Sequence, residues 1–335
     1  LHNLNLCVKL LLMFMKPKKD QSKRPTGMVA LVAQEFNMSK NVLVTGGQGM
    51  LGSCVSFGLK PSREELNLLN YQDLLYYMKE NNITEVIHCA AKVGGLKYNI
   101  DHNSDMILEN TEMNNNVFKA SVECGVKNIV SVLSTCVFPA NAKEPFDQDS
   151  IHDGFPHPTN YGYAYSKRLL LVLSKATRQQ HGVNCTTIIP CNMFGPRDNF
   201  NLNECHVIPA LIRKAHESTD GKLIVGGTGV AKREFLYSYD CAKVIEWMLK
   251  NYKSEVPLIV SPSESIPISR VADIIADKFN LEVTWDKSIP DGQLTRSSDT
   301  SVFKSLNTGV KLSDFNESID KTMNWFVENY DKARL

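Results

Sequence analysis

None of the nine cysteines form a CxxC pair, and no Cys/His cluster has the spacing of a zinc site. Neither a metal centre nor a dithiol redox centre is therefore expected. Neither sign of charge is in excess. Lys and Arg total 37 against 36 Asp and Glu, a net charge of +1. That balance excludes a strongly basic nucleic-acid binder and an acidic disordered chain. Long apolar runs are also missing. The stretch Leu4–Met15 is broken by Lys9 and falls short of the ~20 residues that a membrane-spanning helix needs. Its basic cluster follows the apolar run, the reverse of a secretory signal. Scattered cysteines without such a signal read as free thiols in a reducing compartment, so a cytoplasmic location is expected.

What is present is an ordinary globular composition, 43% hydrophobic and 22% charged over 335 residues. That length suits two domains, or one large α/β domain with a smaller appendage. The charge is uneven: residues 1–24 hold six cations and one anion, which leaves the remainder at −4. Residues 1–40 are expected to be a disordered or artefactual leader outside the functional body. From Asn41 onward, short apolar runs alternate with helix-length segments. The runs are 41–45, 85–91, 128–135, 185–190 and 257–261; the helical segments include 70–81, 105–124 and 164–181. This alternation predicts βαβ units, a mostly parallel sheet and helices on both of its faces. Later helices are predicted at 203–218, 238–252, 268–279 and 313–330, with loops at 226–229, 261–267 and 289–293.

Three motifs carry chemistry. The first is VTGGQGMLGS (44–53), which follows a predicted strand and places Gly46, Gly49 and Gly52 at the spacing GxxGxxG. Such a loop makes a tight turn, lets backbone approach a pyrophosphate and opens a helix whose N-terminus stabilises phosphate charge. The second is YGYAYSK (161–167), with Tyr163 and Lys167 four apart and so on one helix face. A nearby ammonium is expected to lower the phenol's pKa from about 10, making it a tuned proton donor. The third is STCVFP (134–139). Ser134 stands at the carboxyl end of a strand, where open parallel sheets bind ligands. Cys136, two residues on in an extended segment, is expected to face the same side. A thiolate there is a candidate carbon-acid base, and His206 a candidate partner acid.

The glycine loop, the HCAAKVGG segment (88–95) and Ser134, Tyr163 and Lys167 in that order resemble the short-chain dehydrogenase/reductase superfamily. STCVFP, NMFGPRDNFN (192–201), HVIPALIRK (206–214) and REFLYSYD (233–240) narrow the resemblance to the GDP-L-fucose synthases, from about Asn41 to the C-terminus. The resemblance implies a Rossmann-like doubly wound α/β fold with an NADP-binding domain over 41–190. A segment returning at about 232–250 would complete it, and 191–335 would be mainly a smaller α/β substrate lobe. It implies NADP(H) as cofactor, GDP-4-keto-6-deoxy-D-mannose as substrate and a homodimer paired through helices matching 105–124 and 164–181. Cys136 and His206 would epimerise the sugar, and Ser134, Tyr163 and Lys167 would serve the reduction. Cofactor contacts would come from Gly46, Gly47, Gln48, Gly49, Met50, Leu51, Gly52 and Arg63. Further contacts would come from Val132, Leu133, Ser134, Thr135, Lys167, Pro190, Cys191, Asn192, Met193 and His206. Lys214, Arg233 and Asp291 would hold the substrate. Other nucleotide-sugar epimerases or reductases of the superfamily, and a catalytically silent nucleotide-binding paralogue, are the alternatives.

Two departures stand out. Gly226 occupies a position where the resembled family has Trp, which removes an apolar surface or requires a neighbour to replace it. In addition, only residues 53–62 separate Gly52 from Arg63. A helix of ~11 residues and a strand of ~5 do not both fit there. The first βαβ unit is therefore expected to be truncated.

Overall fold

The computed structural model describes residues 41–335, so the leader expected over 1–40 lies outside the described residues. Strand β1, Val42–Thr45, is four apolar or β-branched residues, all buried. Its alternate side chains serve opposite faces: Leu43 enters one core cluster, Val42 and Val44 another. After the glycine loop the chain makes only a 3₁₀ turn at Gly52–Cys54. Helix α1, Tyr71–Glu80, starts where Asn70 accepts from the backbone N–H groups of Gln72 and Asp73. Strand β2, Glu85–His88, follows, then α2 (Leu96–Asp101), α3 (Asn103–Glu123) and β3 (Asn128–Val132). Helix α4, Tyr161–His181, ends on Gly182 in a left-handed conformation, φ +68°. Next come β4 (Asn184–Pro190), β5 (Asn192–Phe194), α5 (Val207–Glu217), β6 (Lys222–Gly226) and β7 (Lys232–Tyr237). The remaining elements are α6 (Ser238–Asn251), β8 (Leu258–Val260), β9 (Ser265–Pro267), α7 (Ile268–Phe279), β10 (Glu282–Asp286), α8 (Ser301–Ser305) and α9 (Phe315–Glu328).

The main sheet has five strands in the order β1-β2-β3-β4-β8, all parallel. Residues of α1, α3 and α4 cover one face, including Leu74, Met78, Val117, Phe118, Leu170 and Leu171. Helix α6 covers the other through Val244, Ile245 and Met248. The sheet is thus wound on both faces, which accounts for its continuous apolar strands. A third cluster, built on Phe194, Phe200, Phe235, Phe315 and Phe326, forms the core of the smaller lobe. There β5, β7 and β9 make one sheet, and β6 and β10 another.

The short first unit leaves a specific trace. Leu59 bridges β1 on its outer edge: its N–H donates to the Val42 carbonyl at 2.8 Å and its carbonyl accepts from Val44 N at 2.9 Å. One residue thus stands where a second strand would begin. Three sequence expectations shift in detail. The 261–267 segment, read as loop, contains β9, which pairs antiparallel with β7. Helix α5 starts at Val207 rather than 203, with His206 as its cap residue. The return to the main sheet is made by α6 and β8, whereas β7 stays with the smaller lobe. Among the described residues no helix is long and apolar enough to cross a membrane.

Candidate active site

A cleft of about 1090 Å³ runs along the carboxyl ends of the main sheet and under the smaller lobe. The glycine loop forms its floor at one end. Gly46 has φ +66°, and a Cβ there would lie 2.8 Å from the Ala90 nitrogen. At Gly49 a Cβ would lie 3.3 Å from the Gly46 carbonyl, and at Gly52 it would overlap that same carbonyl. Close backbone packing therefore requires glycine at 46 and 52 and leaves little room at 49, so at these three positions the cleft meets main chain. Gly47 is the exception: it does not line the cleft but packs on the Lys60 side chain.

The loop after β2 forms the next wall. Asn110, buried on α3, accepts from Lys92 N at 2.8 Å and donates to Lys92 O at 3.0 Å, fixing the loop from both sides. The Lys92 ammonium also pairs with Glu109 at 2.5 Å. Sequence reasoning missed Asn110, because a buried Asn on a helix carries no periodic signal. Beneath this wall, His88 is buried between Thr45 and Asn114, at 2.7 and 2.9 Å. Burial holds its pKa down to about 4, so the imidazole is a neutral brace.

The chemistry-bearing side chains converge on the same cleft. Ser134, Cys136, Tyr163, Lys167 and His206 all line it. Cys136 does not arrive there by strand pleating as expected. Residues Thr135–Val137 form a 3₁₀ turn capped by Ser134, and Cys136 N donates to Ser134 Oγ at 3.3 Å. The turn, not an extended i, i+2 pair, gathers the two side chains. Tyr163 and Lys167 occupy the first two turns of α4, as the spacing predicts. Lys167 Nζ donates to the Val132 carbonyl at 2.8 Å and lies 5.7 Å from the Tyr163 ring centroid.

The expected lowering of the phenol's pKa is not observed. Burial pushes the Tyr163 phenol well up, the Cys136 charge adds to this, and the Ser134 hydroxyl only partly offsets it. Burial also moves the Lys167 ammonium down to about 8. Desolvation dominates, so the tyrosine is held protonated. The His206 ring opens onto the cleft yet is walled by protein, and this loss of bulk water lowers its pKa.

Of the remaining site expectations, residues 46, 48–52, 63, 132–135, 190–193 and Arg233 also line the cleft. Two substrate candidates do not. Lys214 is exposed, its ammonium 3.5 Å from the Ile224 carbonyl. Asp291 is committed to a turn, accepting from Thr228 N at 2.9 Å and Thr228 Oγ1 at 2.5 Å. At Gly226 a Cβ would lie 2.9 Å from the Ile289 side chain, so Ile289 fills the space beside the missing large residue. Asp198, a cleft residue not anticipated, is buried enough to hold its carboxyl up at about 7. Among the described residues no Cys, His, Asp and Glu cluster could hold a metal ion.

Residues 42–260 match the NAD dependent epimerase/dehydratase family. A probable GDP-L-fucose synthase of Drosophila melanogaster is 36% identical, over 88% of this chain and 99% of its own length. The GDP-L-fucose synthase of Escherichia coli K12 is 30% identical, over 89% of this chain and 100% of its own. Among solved structures, a GDP-L-fucose synthetase of Naegleria fowleri bound to NADP superposes with a TM-score of 0.82. It is 36% identical over 88% of this chain and 94% of its own. The chain belongs to the NAD dependent epimerase/dehydratase family and, within it, sits among the GDP-L-fucose synthases.

Proposed function

We propose that this chain converts GDP-4-keto-6-deoxy-D-mannose to GDP-L-fucose with NADPH. It would epimerise carbons 3 and 5 and then reduce the 4-ketone. The observation that carries this reading is the convergence of Cys136 and His206 with Ser134, Tyr163 and Lys167 on one cleft floored by the glycine loop. A simple 4-epimerase has no need of a thiol and an imidazole there, and a silent paralogue has no need of the intact cluster.

The residues present fit NADP(H). The glycine positions leave backbone open to a pyrophosphate, and exposed Arg63 stands on the cleft wall where it can meet a 2′-phosphate. Bound NADPH supplies a hydride to the ketone carbon. The ketone acidifies both neighbouring carbons. Cys136, as thiolate, removes a proton from each in turn, and His206 returns one to the opposite face. During epimerisation and reduction alike, negative charge develops on the same oxygen. Ser134 and protonated Tyr163 donate to it, and the Lys167 ammonium steadies it. Arg233, on the smaller lobe, offers a guanidinium to the diphosphate.

A homodimer is part of the proposal. Helices α3 and α4 pack on each other and leave Leu108, Leu169 and Val172 at 64, 45 and 50% exposure. Light scattering is expected to give twice the chain mass; a monomer would remove this part. The free thiols support a cytoplasmic location. The activity is tested by mixing purified protein with NADPH and GDP-4-keto-6-deoxymannose. One NADPH should be lost per GDP-L-fucose formed. No oxidation by folded, NADPH-binding protein would refute the reading.

A further inference from the structure

Arg296 sits on the loop between β10 and α8, in a segment where sequence reasoning singled out only Asp291. Its Nη2 donates to the Thr135 carbonyl at 3.0 Å. Its guanidinium lies 5.4 Å from the Phe146 ring centroid. Its Nε is buried and has no hydrogen-bond partner among the described residues. It belongs to none of the ion pairs among those residues. A guanidinium placed this way does one identifiable thing, which is to hold a carbonyl.

That carbonyl is well chosen. A peptide unit is planar, so the Thr135 oxygen and the Cys136 N–H point in opposite directions from one rigid plate. The N–H end of this plate donates to Ser134 Oγ. The oxygen end is held by Arg296, with Phe138 N as a weaker second donor at 3.3 Å. Charge-assisted bonds of this kind are the stronger sort. The loop that carries Arg296 is itself fastened to the catalytic side of the molecule. Gln293 donates to the Ala140 carbonyl at 3.2 Å, Phe146 N to Ser297 O at 2.8 Å, and Asp299 N to Phe146 O at 2.8 Å. The same loop receives Arg233, whose Nη1 donates to the Gln293 carbonyl at 2.7 Å. One loop therefore touches both the arginine that faces the substrate's diphosphate and the peptide that orients the reacting side chains.

We propose that Arg296 is a positioning residue. Through the Thr135 carbonyl it sets the orientation of Ser134 and Cys136, and so ties the substrate lobe to the geometry of the chemistry. This rests on the function proposed above for its kinetic readout, but not for its chemical one. The test compares wild type, Arg296→Met and Arg296→Lys. Arg296→Met should bind NADPH with an unchanged Kd and lose about 30-fold in kcat, with substrate KM changed by less than about threefold. Arg296→Lys keeps one charged donor and should recover part of the kcat. Wild-type kcat in Arg296→Met would overturn the proposal, as would a loss confined to KM, which would make Arg296 a substrate contact. A readout that needs no turnover is the rate at which iodoacetamide alkylates Cys136, followed on its peptide by mass spectrometry. That rate should change by about fivefold or more in Arg296→Met, and an unchanged rate would overturn the proposal even if wild type proved inactive. If Arg296→Met does not fold, Arg296→Lys carries the same two readouts, with a smaller expected change in each.

Discussion

Lys167 illustrates how one buried side chain can serve several partners. Its ammonium donates to the Val132 carbonyl and lies against the Tyr163 ring, and burial brings its pKa down to about 8. It therefore remains mostly charged at neutral pH. Tyr163 next to it stays protonated and ready to donate. The i, i+4 spacing made this pair legible in the sequence. Its electrostatics were not legible, because spacing carries no measure of desolvation. Cys136 was legible by its place in STCVFP, although the 3₁₀ turn that delivers it was not. A Cys136→Ser variant should lose exchange of the sugar's carbon-bound protons by about 10³-fold, since a serine hydroxyl is hardly ionised at neutral pH whereas a thiol can supply a thiolate base. NADPH titration should give a wild-type Kd, because the Cys136 side chain is assigned to the sugar alone. Weakened NADPH binding in that variant would mean that the thiol has been assigned to the wrong ligand.

The shortened first unit is compensated at the level of the element. Where a helix would continue past the Gly52–Cys54 turn, the Lys60 ammonium donates to the Ser53 carbonyl at 3.2 Å and to the Val55 carbonyl. It thereby satisfies oxygens that a full helix would bond internally. The Lys60 stem also covers Gly47, and Gln48 donates to the Lys60 carbonyl at 3.0 Å. Leu59 beside it keeps a single bridge to β1. Lys60 is thus a strut for the glycine loop. Lys60→Met keeps the stem and removes the charge. It should raise the NADPH Kd by about fivefold and lower the Tm by about 3 °C, read by fluorescence titration and thermal melting. An unchanged Kd would show that the loop holds its shape without Lys60. Counting residues between Gly52 and Arg63 revealed the gap. Its repair was invisible, because one bridging residue has no periodicity and one lysine no motif.

At the scale of the molecule, the cleft is where two kinds of surface meet. The main sheet and its helices contribute open backbone and the Ser134, Cys136, Tyr163 and Lys167 side chains, while His206 comes from the smaller lobe. The smaller lobe contributes Arg233 at the cleft and Arg296 behind it, whose charge helps to lower the Arg233 pKa after burial. The main sheet was readable throughout, since its strands are continuous apolar runs. The smaller lobe was less so: β5 and β9 have three residues each, and β6 and β10 are half-exposed pairs. Short edge strands take their structure from partners distant in sequence.

The central claim is that one cleft performs both carbon-acid exchange and ketone reduction. It is tested most directly by running the reaction in D₂O with unlabelled NADPH and locating deuterium in the GDP-sugar product. The account predicts deuterium at carbons 3 and 5 and ordinary hydrogen at carbon 4. A reduced product without deuterium at carbons 3 and 5 would contradict it.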